Sequence, residues 1–390
     1  MSDLLTSATT LTALPPVWRW TSKAGYFTAL CIAAGPLLTY WIALRRPLRG
    51  ESATTATTTG LLTGRVAAVG ALLVLPFLVL QTASRIARRG DGDFGAALSP
   101  SALWGQVTTP REPGEWIGAG WITLTQLVLA LAAVAVLAPL LRRGGSAPGR
   151  LTGLLGTGTT LVLGVVLVTA VPRSSEDLTG ESLLGTLFDQ LHVIGAEAWL
   201  GGLLLLAVVT ARHRSLSGAS VAFWTGAWLR FSLLATASVA ALAVSGLWLA
   251  WRHIGALDEF VTTTYGVVLL VKLLVVGALL GLGAWNQVAV LPQLLRLRRA
   301  GHDEPVLALA VRHLGRVVRI EVGLGAAVLV TVGFLSGSAR SEAGDPDPVL
   351  TGQIWGWGIG FVVAMAGLLW LTGRVATFLA ERPVAEPASA

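Results

Sequence analysis

Long apolar segments separated by short polar ones dominate this chain. Nine of them, each of roughly twenty or more residues, are rich in Leu, Val, Ala and Gly: 24–44, 64–84, 117–141, 151–171, 187–211, 224–251, 266–290, 317–338 and 354–377. A helix rises about 1.5 Å per residue, so each segment is long enough to cross about 30 Å of hydrocarbon. None shows the alternation of a transmembrane β-strand. The pattern therefore predicts membrane-spanning helices.

The composition supports the same class of protein. Hydrophobic residues make up 54% of the chain and charged residues 13%, and the mean hydropathy is +0.71. A soluble domain usually carries about a quarter charged residues. We therefore predict an all-α fold, a polytopic helical bundle in the bacterial plasma membrane. It has about nine transmembrane helices, of which eight form a core and the last is an addition.

Arginine-rich loops predict the orientation of this bundle. With the N-terminus outside and the C-terminus cytoplasmic, most basic residues lie on the cytoplasmic side, among them Arg45, Arg142, Arg212, Arg296 and Arg316. That placement satisfies the positive-inside rule. The net charge of +7 is then a topology signal together with affinity for anionic lipid. Because no basic groove with interleaved aromatic residues is evident, nucleic-acid binding is not expected.

The chain divides into three predicted regions. Residues 1–180 form an N-terminal four-helix half, residues 181–340 a second four-helix half, and residues 341–390 an additional helix with a short disordered tail. The segment near 91–113 is broken by prolines, so we expect it to lie along the membrane surface. All five histidines follow residue 190, which assigns any imidazole chemistry to the second half.

Four ionisable side chains and one tryptophan lie inside the predicted helices. His192, Glu197, Lys272 and Glu321 would each cost about 2.5–3.5 kcal/mol to insert unpaired, and Trp199 must pack between helices. Glu197 and Lys272 have similar predicted depths, so either they form a buried ion pair or Lys272 extends outward alone. Glu321 is expected to pair with an arginine at the cytoplasmic face.

His192 is the first candidate for a metal ligand. Asp189 lies three residues before it on the same helical face, where a carboxylate can orient the imidazole ring. The alternative is a histidine hydrogen-bonded between helices. Cys31 has a similar predicted depth in the first helix, and imidazole together with sulfur favours Cu(I). The alternative for Cys31 is a small core residue.

His253 is a further candidate for the metal site. It ends the sixth predicted helix on the outer side, shortly before Asp258 and Glu259. Acidic residues at this point predict a vestibule that attracts cations, with a solvated loop as the alternative. The predicted metal site therefore comprises His192, Asp189, Cys31 and His253.

Four segments of the second half follow one another in a recognisable order. They are LHVIGAEAWLGGLLLL at 191–206, LRFSLLATASVAALAVSGLW at 229–248, YGVVLLVKLLVVGALLGLGAWNQ at 265–287 and RIEVGLGAAVLVTVGFLS at 319–336. Together they resemble the CopD family, the copper resistance protein D-like inner-membrane proteins, over about 150 of the 390 residues. The resemblance draws attention to His192, Trp199, Lys272 and Asn286.

This resemblance implies a function that involves copper. CopD-like proteins are associated with copper movement across the inner membrane, with a periplasmic or extracellular copper-binding protein as partner and, in some, a link to oxidase assembly factors. The resemblance therefore implies copper transport or delivery across the plasma membrane, with copper entering near the outer face of the fifth helix. A membrane scaffold or assembly subunit that transports nothing is the alternative.

Other chemistry has little support in the sequence. Copper relays commonly use methionine thioethers, yet only Met1 and Met365 are present, and neither is close to His192 in sequence. Haem b is not expected, because only His192 is well placed as an axial ligand. No motif for nucleophilic catalysis or phosphate binding is evident, so we do not expect an enzyme.

Overall fold

A computed structural model of the chain describes residues 15–142, 148–216, 218–335, 337–346 and 352–381. Nine long helices run through these residues: α1 (Val17–Leu44), α2 (Ala53–Arg89), α3 (Ala119–Leu141), α4 (Pro148–Ala170), α5 (Gly180–Ala211), α6 (Val221–His253), α7 (Thr264–Arg299), α8 (Asp303–Phe334) and α9 (Gly352–Glu381). The predicted disordered tail at 383–390 lies outside the described residues.

The helices account for the predicted fold class. The first eight are long and apolar enough to cross a membrane, and α9 carries a shorter apolar stretch, Gly358–Gly367. Within the described residues every regular element is helical, apart from an isolated antiparallel bridge between Glu115 and Ser174. The prediction of an all-α polytopic membrane bundle is therefore confirmed.

The helices extend further than the apolar segments that predicted them. α2 begins at Ala53 rather than near 64, and the Ser52 hydroxyl accepts a hydrogen bond from the N–H of Thr55 at 3.2 Å. α8 begins at Asp303 rather than near 317. The reason is that apolar windows mark only the part of a helix in hydrocarbon, whereas polar turns continue it through the interface.

α1 and α5 form the centre of the bundle. Of their most apolar windows, 67% and 72% respectively are buried, whereas only 6% of the corresponding window of α7 is buried. α1 packs against α2, α5 and α8. It therefore connects the helices of the first predicted half with those of the second.

Glycines allow the backbones of α1, α2 and α5 to touch. A Cβ added to Gly35 of α1 would overlap the carbonyl oxygen of Glu197 and Cα of Gly201 in α5. A Cβ added to Gly70 of α2 would overlap the backbone of Ala33 in α1. Small residues at helix crossings are the usual means by which membrane helices approach closely. These contacts fix how α5 is rotated about its axis.

Four of the long helices contain a π-helical turn: Tyr40–Leu44, Glu197–Gly201, Asn286–Val290 and Ala308–His313. Such turns are rare and occur frequently at functional sites. The turn in α5 contains Glu197, Trp199 and Gly201, so it lies where α5 meets α1.

The segment near 91–113 forms two short helices, Phe94–Ala97 and Pro100–Val107. Both are too short to cross a bilayer. Trp104, in the second of them, is exposed. Its placement along the membrane surface stays a prediction.

The glycine contact between α1 and α5 predicts a stability difference between two matched variants. Gly35→Ala should lower the thermal unfolding midpoint of the detergent-purified protein, because overpacking of a close contact costs about 1–3 kcal/mol. Gly277→Ala is the control, since a Cβ at Gly277 of α7 meets nothing within 4 Å. Equal midpoints for the two variants would contradict the close contact.

Candidate functional site

A cavity of about 1460 Å³ lies beside α5 in the second half of the bundle. Its lining comes chiefly from α1, α5, α6, α7 and α8, with Phe361 and Met365 contributed by α9. Most of the lining is apolar, and the polar side chains are few. Because the cavity lies among membrane-spanning helices, each polar group on its wall is a candidate for function.

His192 lies on the wall of this cavity and is held from α6. Its Nδ1 is 3.0 Å from the hydroxyl oxygen of Ser245. The Ser245 hydroxyl donates to the carbonyl oxygen of Ala241 at 2.6 Å, so its single hydrogen is already used. Ser245 must therefore accept a hydrogen bond from Nδ1–H of His192.

The Ser245 contact determines which ring nitrogen of His192 is free. A neutral imidazole that donates from Nδ1 carries its lone pair on Nε2. A neutral imidazole nitrogen of this kind is a common metal ligand. The geometry thus presents one orientated imidazole on the wall of the cavity, and its Nε2 has no hydrogen-bond partner among the described residues.

Asp189 does not orient His192, and this part of the sequence interpretation is wrong. The side chain that binds Nδ1 is Ser245 of α6, not the carboxylate one turn away on α5. Asp189 lines the same cavity and lies within electrostatic range of Arg252 and His253. Asp189 and His192 share a face of α5, but the hydrogen-bond partner of His192 comes from the neighbouring helix α6.

Cys31 does not meet His192. Its carbonyl oxygen packs against Gly201, nine residues beyond His192 on α5, which is about 13 Å along a helix axis. The cysteine is buried in the apolar core and is not part of the cavity lining. The alternative of a small core residue is the one that this packing favours.

His253 lines the same cavity as His192 but lies well away from it. Its Nδ1 is 2.7 Å from the carbonyl oxygen of Leu249, and its ring stacks on Tyr265 with centroids 5.5 Å apart. Ser245, which holds His192, lies eight residues before His253 on α6, about 12 Å along the axis. The two imidazoles therefore do not belong to one coordination sphere.

The predicted ion pair between Glu197 and Lys272 is not formed. Glu197 is 1% exposed, and neither of its carboxylate oxygens has a hydrogen-bond partner in the described residues. It packs on the side of α5 that faces α1, whereas Lys272 lines the cavity, within electrostatic range of His192. A similar predicted depth does not bring the two side chains together, because they lie on different sides of α5.

Glu321 pairs with an amide rather than with an arginine. Asn286 of α7 donates a hydrogen bond to the Glu321 carboxylate at 3.2 Å. The one ion pair found among the described residues is between Arg173 and Glu115. Beside Asn286, the Gln287 side chain accepts from Ser232, so a second polar group of the cavity lies at the π-turn of α7.

Trp199 is buried and lines the cavity, as expected for a tryptophan packed between helices. His192 and Trp199 are seven residues apart and share one side of α5, while Glu197 and Gly201 share the side that faces α1. α5 therefore separates the cavity wall from a close-packed backbone contact.

Basic side chains on the cavity wall were missed from the sequence. Arg19 and Lys23 of α1 and Arg88 of α2 line the cavity together with Asp189. Lys23 donates to the carbonyl oxygen of Leu335 at 2.6 Å. Of the acidic residues predicted to form a vestibule near His253, Asp258 is exposed, whereas Glu259 is buried and accepts the N–H of Gly255 at 2.8 Å. The vestibule stays a prediction.

Two signals could have identified more of this site. Ser245 is a polar residue inside a predicted apolar segment, and counting hydroxyls among intramembrane polar groups would have included it. Arg19 and Lys23 precede the predicted first helix, which begins at residue 24, so the search for polar residues inside helices did not include them. The real helix starts at Val17 and includes them.

No group of three or more His, Cys, Asp or Glu side chains converges to hold a metal ion in the part of the chain that the structure describes. The four predicted metal-site residues are thus not brought together, although three of them, His192, Asp189 and His253, line one cavity. A site of this type offers single, separate ligands.

Comparison with known proteins supports a link to copper. Residues 226–335 match the family model described as CopD, copper resistance protein D. The copper transport protein CutJ of Bacillus subtilis (strain 168) is 27% identical over 288 residues, which is 74% of this chain and 47% of CutJ. The chain therefore spans about half the length of this curated relative. No solved structure gives a significant match.

The comparisons confirm the resemblance to the CopD family that the sequence predicted. They agree with a multi-pass protein of the bacterial plasma membrane. The family match covers α8 and α7 and most of α6, including Ser245, but it begins after the α5 segment that contains His192. The role of His192 therefore depends on the geometry of this chain.

The contact between Ser245 and His192 predicts the tautomer of the imidazole. In protein labelled with 15N-histidine, the nitrogen shifts of His192 should report a protonated Nδ1 and an unprotonated Nε2. Ser245→Ala should produce a mixture of tautomers, since a hydrogen bond of this kind contributes about 0.5–1.5 kcal/mol. Ser238→Ala, on the same helix, is the control and should leave the shifts unchanged. A protonated Nε2 in the unmodified protein would contradict the assignment.

Proposed function

We propose that this chain, whose residues 226–335 belong to the CopD family, moves copper across the bacterial plasma membrane through the cavity beside α5. Copper is the cargo in this proposal, and His192 is its first protein ligand. The family match and the similarity to a copper transport protein support the choice of metal. No enzymatic reaction is part of the proposal.

The observation that carries this proposal is the orientated imidazole of His192. The relay from His192 to Ser245 to Ala241 leaves Nε2 as a lone-pair donor on the cavity wall. Imidazole suits copper among the transition metals. Ordering of the ring by a hydrogen bond at its other nitrogen is typical of metal-binding histidines.

Metal ligands that stand singly along a cavity suit the transport of copper better than its storage. A transported ion must be bound strongly enough to enter and weakly enough to leave. His192 would act first, and the polar groups at the π-turn of α7, Asn286 and Gln287 with Glu321 of α8, would act further along the cavity. The scarcity of grouped ligands is consistent with this use of the cavity.

The basic side chains of the cavity bear on how copper arrives. Arg19, Lys23 and Arg88 repel a free cation that approaches along the wall they line. We propose that copper is delivered to His192 by a periplasmic or extracellular copper-binding protein, whose ligands keep the ion from these charges. The resemblance to the CopD family also makes oxidase assembly factors candidates to receive the copper.

A scaffold that transports nothing is the second candidate. It is favoured by one observation, that no three metal-binding side chains converge within the described residues. A scaffold would retain the bundle and bind a partner in the bilayer without moving copper. Uptake measurements separate the two candidates directly.

Copper uptake into proteoliposomes tests the transport proposal. Protein reconstituted with Cu(I) outside should accumulate copper, and His192→Ala should reduce the initial rate by roughly tenfold or more, because it removes the first ligand. His302→Ala is the matched control, since His302 is exposed and lies outside the cavity lining. No uptake by the unmodified protein would favour the scaffold, and equal uptake by the two variants would contradict the role of His192 as first ligand.

Lys272 supplies a second prediction with a definite sign. Its side chain lines the cavity within electrostatic range of His192, and none of the described residues is its hydrogen-bond or ion-pair partner. Lys272→Met should strengthen copper binding by roughly tenfold or less, because it removes a positive charge that repels the copper ion bound at His192. Equilibrium competition with a Cu(I) chelator measures the change. Weaker binding in Lys272→Met would indicate that Lys272 holds the ligands in place instead.

A further inference from the structure

A second cavity of about 280 Å³ lies chiefly among helices of the first half of the bundle and shares Thr169 and Thr186 with the cavity that His192 lines. It is found where α2 ends and α3 begins, next to the loop that joins α4 to α5. Its polar lining includes Arg85 and Arg89 of α2, Gln106, and Arg173 and Asp177 of the loop. No part of the copper proposal uses these residues.

The charges of the loop are already balanced. Arg173 forms an ion pair with Glu115, with nitrogen and oxygen 3.3 Å apart. The Asp177 carboxylate accepts the backbone N–H of Arg173 at 2.7 Å and that of Ser174 at 3.1 Å. These N–H groups, that of Arg173 first, hold the pKa of Asp177 below its usual range, so the carboxylate stays charged and directed at the backbone.

The two arginines of α2 are not balanced in the same way. Arg85 and Arg89 are one helical turn apart and both line the cavity. Arg89 donates to the neutral side-chain oxygen of Gln106 at 3.4 Å. Arg85 is half-buried, and none of the described residues is its hydrogen-bond or ion-pair partner. A guanidinium taken partly out of water requires an anion to offset the cost of its desolvation.

The start of α3 adds to the positive potential of this cavity. Ala119, the first residue of the helix, is part of the lining. The residue before it is Gly118, so no side chain caps the N–H groups of the first turn. The N–H of Trp121 in this turn donates to the carbonyl oxygen of Gly118 at 3.0 Å. The N-terminus of a helix of this length carries a partial positive charge, which favours anions.

We propose that this second cavity binds a phosphate group, held by the guanidinium groups of Arg85 and Arg89 and by the N-terminus of α3. Arginine is suited to this ligand because its planar fork donates two parallel hydrogen bonds to phosphate oxygens. Two sources supply the same chemistry: the headgroup of a phospholipid, whose phosphates lie level with the ends of membrane helices, and free inorganic phosphate.

Binding of phosphate to the full chain tests this proposal in two arms. In the first, delipidated protein in phosphate-free detergent is titrated with inorganic phosphate by calorimetry. In the second, native mass spectrometry counts the phospholipids retained after mild purification. A lipid that is retained and is not displaced by inorganic phosphate identifies the headgroup, whereas saturable binding of phosphate without lipid identifies the free ion.

Substitution of both arginines provides the decisive comparison. The double variant Arg85→Gln, Arg89→Gln should weaken the binding seen in either arm by roughly tenfold or more. The double variant Arg150→Gln, Arg214→Gln removes the same charge from exposed positions outside the cavity and should bind as the unmodified protein does. If the first variant does not fold, Arg85→Lys, Arg89→Lys keeps the charge, loses the fork and should show intermediate affinity. Failure of the unmodified protein to bind in both arms, or equal binding by the two glutamine variants, would overturn the proposal.

Discussion

The backbone contact between α1 and α5 is the constraint on which the rest of this structure depends. Gly35 and Gly201 allow the two helices to touch without side chains between them. Contacts of this type stabilise helix pairs in a bilayer, where apolar side chains gain little by leaving lipid for protein. Because the contact fixes one side of α5 against α1, the opposite side is committed to the cavity. His192 and Trp199 lie on that side.

The same constraint explains why the polar residues of α5 have such different surroundings. His192 finds a partner in Ser245 of α6, and its second nitrogen remains available. Glu197 is turned toward α1, where both carboxylate oxygens are buried and have no hydrogen-bond partner in the described part of the chain. A lone charge in that position would be costly, which favours a neutral carboxylic acid. One helix therefore holds a ligand on its cavity side and a sequestered acid on its packed side.

Sequence patterns were sufficient for the class of fold and for most helices, because a bilayer demands long apolar segments and satisfied backbone groups. They also identified His192, Lys272 and Glu321 as costly residues, and these line the cavity. The partners of these residues could not be predicted. These partners depend on how each helix is rotated about its axis. Packing contacts such as that of Gly201 with α1 set this rotation.

Nε2 of His192 is proposed as the copper ligand of the cavity. An anomalous difference map from crystals of the protein loaded with Cu(I) tests this assignment. We expect a copper peak about 2 Å from Nε2 of His192, a length typical of metal–imidazole bonds, with Nδ1 still bonded to Ser245. A peak beside Cys31, a peak at His253 alone, or no peak within the cavity would contradict it.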